Sequence, residues 1–113
     1  MAISPAYPVV LDEIVSRLAK GLGAERIYLF GSQASGQASP GSDFDVLVIT
    51  PHSNLPRHKR EAQAYDLLWG LTTAVDVIVL TRAEFCRQAQ VKTSLAATVK
   101  NKGVLLYGKS KAG

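Results

Sequence analysis

Between Val75 and Leu80 the chain reads Val-Asp-Val-Ile-Val-Leu, an apolar and largely β-branched run interrupted by a single acid. β-Branched side chains suit a pleated surface, and a near-continuous apolar run is what a strand needs when both of its faces are covered. The run is too short for a membrane span, which takes about 20 apolar residues. It therefore predicts a buried strand in a sheet that other elements must cover.

The rest of the chain supplies those elements. Val10, Ile14, Val15, Leu18 and Leu22 recur at helical spacing after Pro8, with Asp12, Glu13, Arg17 and Lys20 between them, so an amphipathic helix closes near Gly21 or Gly23. Arg26–Phe30 is a β-prone run that stops at Gly31, and Ser32 to Gly41, rich in serine and glycine, reads as a functional loop. A second strand spans Phe44–Ile49 and ends at Thr50-Pro51. Pro56 opens a helix that continues through Arg60, Ala64, Leu67, Leu68 and Leu71. Thr81 with Glu84 three residues later has the form of a capping box, followed by one helical pattern from Phe85 to Val99. Gly103 ends that helix, Val104–Tyr107 is a short edge strand, and the tail from Gly108 frays. The fold class expected is α/β, a small mixed β-sheet of three to four strands packed by helices, in one domain over residues 1–113.

Composition narrows the classes of function. Hydrophobic residues make up 47% and charged residues 19% of 113 residues, which excludes a disordered chain. This length is short for an enzyme that must enclose two substrates unaided, so a partner is expected to complete the site. One cysteine, Cys86, allows no internal disulfide, and the N-terminus has neither a basic region nor an apolar stretch of signal-peptide length. A cytoplasmic protein without membrane contact is expected. The net charge of +4 suits a nucleotide, a nucleic acid or an acidic protein. No RNA- or DNA-binding motif accompanies it, so direct nucleic-acid binding is not expected.

The chemistry is carried by Gly31-Ser32, Asp43-Phe44-Asp45 and Asp76. Two carboxylates one residue apart on a strand lie roughly 6 to 7 Å apart at their α-carbons and share a face, so they can grip one divalent cation. Mg²⁺ takes one or two carboxylates plus substrate phosphates, and two such ions about 3.5 to 4 Å apart would stabilise an in-line displacement. Asp76 on a neighbouring strand is the candidate base. Gly31 lets backbone approach a phosphate, and Ser32 supplies a hydroxyl and an amide. The candidate set is thus Asp43, Asp45 and Asp76 as catalytic and metal-binding residues, with Gly31, Ser32 and Ser42 binding nucleotide.

Gly31-Ser32, ten residues, Asp43-x-Asp45, then Asp76 among apolar residues resembles the pattern of the polymerase β-type nucleotidyltransferase superfamily. The short length resembles its minimal nucleotidyltransferases. The resemblance implies a nucleotidyltransferase fold, two Mg²⁺ ions, and transfer of AMP from ATP to a hydroxyl with release of pyrophosphate. Similar small members are antitoxins of helical HEPN-domain ribonuclease toxins, and some adenylylate a toxin tyrosine, so a HEPN toxin is implied as partner and substrate. Many of these proteins carry arginines after the Gly-Ser pair, where this chain has Gln33 and Ser35. Arg57, Lys59 and Arg60 are candidate replacements. An antitoxin that neutralises by binding alone is the alternative, and transfer to a small molecule such as an aminoglycoside is a third.

Other features have plainer readings. Asp-x-Asp at a strand start is also a common turn cap. Arg57 to Arg60 reads as a solvated helix face, and Tyr65, Leu68 and Trp69 as core, exposure of Trp69 being the sign of an interface. His52 and His58 have no partner at metal-ligand spacing. Cys86 reads as a buried small apolar group.

Overall fold

A computed structural model of the protein describes residues 9–31, 43–71 and 73–108. Its elements in chain order are α1 (Val9–Leu22), β1 (Arg26–Phe30), β2 (Phe44–Thr50), α2 (Arg57–Leu67), β3 (Val75–Thr81), α3 (Arg82–Ala89), α4 (Leu95–Lys102) and β4 (Val104–Gly108). The four strands form one sheet in the order β3-β2-β1-β4. β1 runs antiparallel to both β2 and β4, while β2 and β3 are parallel, so the sheet is mixed. The α/β class is the one expected.

Each sheet face has its own apolar cluster because side chains alternate along a strand. On one face Ile27, Leu29, Val46, Val48, Val77, Val79 and Leu106 meet Leu11, Ile14, Val15 and Leu18 of α1 with Ala64 and Leu68 at α2. On the other, Leu47, Ile49 and Leu80 meet Phe85 of α3 and Ala96 and Val99 of α4. The ring of Tyr28 stacks on Phe85 at 6.1 Å between centroids. Burying each large aliphatic side chain is worth about 1.5 to 3 kcal/mol, and these two clusters hold the helices to the sheet.

Helix ends depart from the sequence pattern in two places. α2 stops at Leu67, before Leu71, because the chain turns at Leu68 and passes through Gly70 at φ +93°. The carbonyls freed there do not go unpaired: Arg17 of α1 donates to Leu67 O at 3.2 Å and Trp69 O at 3.0 Å. The pattern from Phe85 to Val99 is two helices, not one. Ser94 begins the second, accepting from Ala97 N at 3.0 Å while its hydroxyl donates to Gln88 O at 2.6 Å. The capping box forms as expected, with Thr81 Oγ1 accepting from Glu84 N and Glu84 accepting from Thr81 N.

α2 also closes the open edge of β3. Tyr65 Oη accepts from Val77 N at 3.0 Å, Glu61 Oε2 from Val79 N at 3.3 Å, and Glu84 Oε1 from Thr81 N at 2.9 Å. Arg60 donates to Val79 O at 3.1 Å. Side chains thus take up backbone groups that a neighbouring strand would otherwise occupy.

Candidate active site

The parallel pairing of β2 with β3 places Asp45 opposite Asp76. Both project toward the face that α3 and α4 cover further along, since Asp45 alternates in step with Leu47 and Ile49, and Asp76 with Ile78 and Leu80. The helices stop short of this end of the sheet, leaving Asp45 half-buried and Asp76 exposed. The expectation that Asp76 is a buried acid is therefore corrected. The apolar run is covered from Val77 onward, and its acid sits where coverage ends.

The Asp45 and Asp76 carboxyls lie close enough for a hydrogen bond between them when one carries a proton. The Asp45 carboxyl is held above its ordinary range, first by burial, then by the charge of Asp76 and the hydrogen bond to it, and last by the charge of Asp43. Asp43 itself is exposed and lies one residue before β2 begins. It acts on Asp45 through its field. Among the described residues no group of three or more His, Cys, Asp or Glu side chains gathers as a metal-holding cluster. The convergent pair is Asp45 with Asp76, not three carboxylates meeting at one point.

Gly31 completes this corner. Phe30 pairs with Asp45 across β1 and β2, and the next residue, Gly31, turns the chain out of the sheet at φ +76°. A β-carbon at position 31 would run into Asp45 Oδ2 and lie 3.2 Å from its Cγ. Glycine is thus required twice, for the backbone conformation and for the space the carboxylate fills.

These residues fit a hard divalent cation. Two carboxylates in contact oppose each other's ionisation, and either a shared proton or a cation relieves that opposition. An all-oxygen donor set is the kind Mg²⁺ takes, with phosphate and water completing its shell. Ser32 and Ser42, together with Gln33, Ser35 and the predicted functional loop, lie outside the described residues, as does the tail from residue 109.

The model of the nucleotidyltransferase domain family matches residues 11–105, which takes in Gly31, the Asp45–Asp76 pair, the first three strands and the start of β4. The chain belongs to the nucleotidyltransferase domain family. No curated protein sequence matches it. Among solved structures, this nucleotidyltransferase domain is similar to a protein from Sulfolobus solfataricus assigned as a nucleotidyltransferase. The identity there is 25% and the TM-score 0.66, over 91% of this chain and 81% of the other. It is also similar to a chain of a mutant MntA-HpeT toxin–antitoxin, at 27% identity and TM-score 0.60 over 88% of this chain and 73% of that one. A toxin–antitoxin solved with AMP-PNP shares the fold, at 24% identity and TM-score 0.55 over 88% and 73% of the two chains.

Several other residues differ from expectation. Arg60 is no phosphate contact: its guanidinium is buried, pairs with Glu84 at 2.8 and 3.1 Å, and also donates to Leu55 O at 2.9 Å. Arg57 and Lys59 are exposed at the start of α2, whereas Tyr65, near its other end, is the residue that reaches the strand beside Asp76. The run 57–60 thus lies toward the far end of the nucleotidyltransferase sheet from the acids. Trp69 is 85% exposed and Tyr65 46%, so only Leu68 of that trio is core. The three line a groove with Leu71 and Val75, the residue preceding Asp76. Cys86 is exposed, not buried, because α3 turns Phe85 inward in its place.

Proposed function

We propose that this chain is a Mg²⁺-dependent protein adenylyltransferase that moves AMP from ATP to a tyrosine hydroxyl of a partner HEPN-domain ribonuclease toxin, acting as its antitoxin in the cytoplasm. The observation that carries this reading is the contact between Asp45 and Asp76 beside Gly31, at the uncovered end of the sheet. Asp43, Asp45 and Asp76 would hold the metal, with Asp43 exposed beside the Asp45–Asp76 pair, and Gly31, Ser32 and Ser42 would hold the nucleotide. Magnesium bound there would offset charge on the triphosphate and its leaving group.

Asp76 is exposed on an edge strand, where an incoming hydroxyl can reach it, and it accepts that hydroxyl's proton. The acceptor oxygen bonds to the α-phosphorus, the bond from that phosphorus to the bridging oxygen breaks, and pyrophosphate leaves. The likeness to MntA-HpeT supports a toxin as the partner. The exposed Trp69 groove, at the end of α2 and on the sheet face opposite Asp76, supports a separate docking surface for the partner.

Incubation with labelled ATP, Mg²⁺ and the protein encoded beside it labels that protein, and Asp43→Ala abolishes the label. Equal labelling by the variant overturns the mechanism. Gln33 and Ser35 in place of arginines favour a second reading, an antitoxin that acts by binding alone. Under that reading Asp43→Ala/Asp45→Ala protects cells as well as wild type, and calorimetry detects no binding of ATP with Mg²⁺.

A further inference from the structure

We propose that Lys100 contacts the phosphates of the nucleoside triphosphate that leave as pyrophosphate, an inference that rests on the nucleotidyltransferase reading above. The first support is position. At the uncovered end of the sheet Asp76 pairs with Asp45 and Asp45 with Phe30, and β4 begins opposite Leu29, the residue before Phe30. Gly103, which ends α4, therefore falls in the same lateral row, its β-carbon position 3.3 Å from Leu29 O. Strands lie about 4.8 Å apart, so Gly103 is two spacings, roughly 10 Å, from Asp45. Lys100 lies one helical turn back, about 4.5 Å along the axis.

The second support is direction. α4 packs on the face that carries Asp45 and Asp76, through Ala96 and Val99. Lys100 follows Ala96 by four residues and Ala97 by three, so it leaves the helix on the stripe turned toward the sheet, yet it is exposed. A cation on the inward stripe that is nonetheless exposed, one turn before Gly103, is what a helix end projecting past the covered sheet would give. Among the described residues no carboxylate forms an ion pair with it. A metal on the acids fixes one part of a triphosphate, and a lysine's flexible stem spans the rest of the gap to its far end.

The third support is that other candidate cations are taken or missing. Arg60 is committed to Glu84, and positions 33 and 35 carry neutral residues. Helix polarity alone would explain a lysine in the last turn, but it applies equally to Lys102, which lies off the sheet-facing stripe.

The test is calorimetric titration of the full chain with Mg²⁺-ATP and with AMP, using wild type, Lys100→Ala, Lys100→Arg and Lys102→Ala, beside a thermal melt of each. Lys100→Ala is expected to weaken ATP binding about tenfold or more, with AMP binding and melting unchanged. Lys100→Arg keeps most of the affinity, and Lys102→Ala behaves as wild type. Equal loss for ATP and AMP, no loss for either, or the same loss in Lys102→Ala overturns the assignment of Lys100 alone. Absence of ATP binding by wild type overturns the catalytic reading and this inference with it.

Discussion

The Asp45 carboxylate occupies the space that a side chain at position 31 would fill, so Gly31 and Asp45 are fitted to each other across two strands. Any larger residue at 31 must displace the acid that pairs with Asp76, and must also adopt φ +76°. Gly31→Ala is expected to cost about 1 to 2 kcal/mol from the left-handed backbone alone. Denaturant unfolding measures that loss. Binding of Mg²⁺-ATP should fall further than stability does, because the carboxylate has moved.

Asp45 and Asp76 repel once both are ionised, and Asp43 adds to the field. Without metal, Asp45→Asn should therefore melt at a higher temperature than wild type at pH 7, since it removes an acid whose ionisation burial and its neighbours oppose. The melting gain on adding Mg²⁺, expected in wild type, should vanish in the variant. A lower metal-free melting temperature for Asp45→Asn would contradict this account.

Arg60 and Glu84 tie α2 to the start of α3, and the pair sets an acid limit on stability. Glu84 is lowered to about 2, chiefly by its hydrogen bonds from Arg60 and from the backbone of Thr81, and secondarily by the Arg60 charge against a burial cost. An acid depressed in the folded state contributes stability that is present above its ordinary value of 4.5 and is lost as pH falls toward 2. Melting measured from pH 5 down to pH 2 should show this loss, reduced in Glu84→Gln. Arg60→Ala should cost about 2 to 3 kcal/mol, at the low end for a broken buried pair because Glu84 keeps 28% exposure.

Trp69 touches little of its own chain, so Trp69→Ala should change stability by less than about 0.5 kcal/mol. Under the proposed reading its effect falls on association, and pull-down with the protein encoded beside it should weaken strongly. Tyr65→Phe offers the contrast. It keeps the ring but removes the acceptor from Val77 N, and should cost about 1 kcal/mol of stability.

The strands were legible because their signals are local. Arg26–Phe30 and the acid-bearing runs at Phe44 and Val75 carry β-branched and aromatic residues between Gly and Pro breaks, and each forms a strand. The Thr81–Glu84 box was legible for the same reason. Relationships across the chain were not. The helical pattern ran through Ser94, whose hydroxyl both caps α4 and bonds to Gln88, and nothing local distinguished that serine from a solvated one. Arg60 read as one of four cations, although its partner lies 24 residues away on another helix. Trp69 read as core from spacing alone, before the turn at Leu68 carried it off the helix. At the candidate site, the acids at 45 and 76 on two strands were legible, but their pairing and the fit of Gly31 against Asp45 depend on strand register.

Because Tyr65, Glu61 and Glu84 occupy the outward amides of β3, a second protein cannot extend the sheet there by strand addition. Whatever approaches Asp76 from that side meets aromatic and charged side chains in place of bare peptide. On the proposed reading, selectivity for an acceptor along that margin is written in residues that can change one at a time without unravelling the sheet.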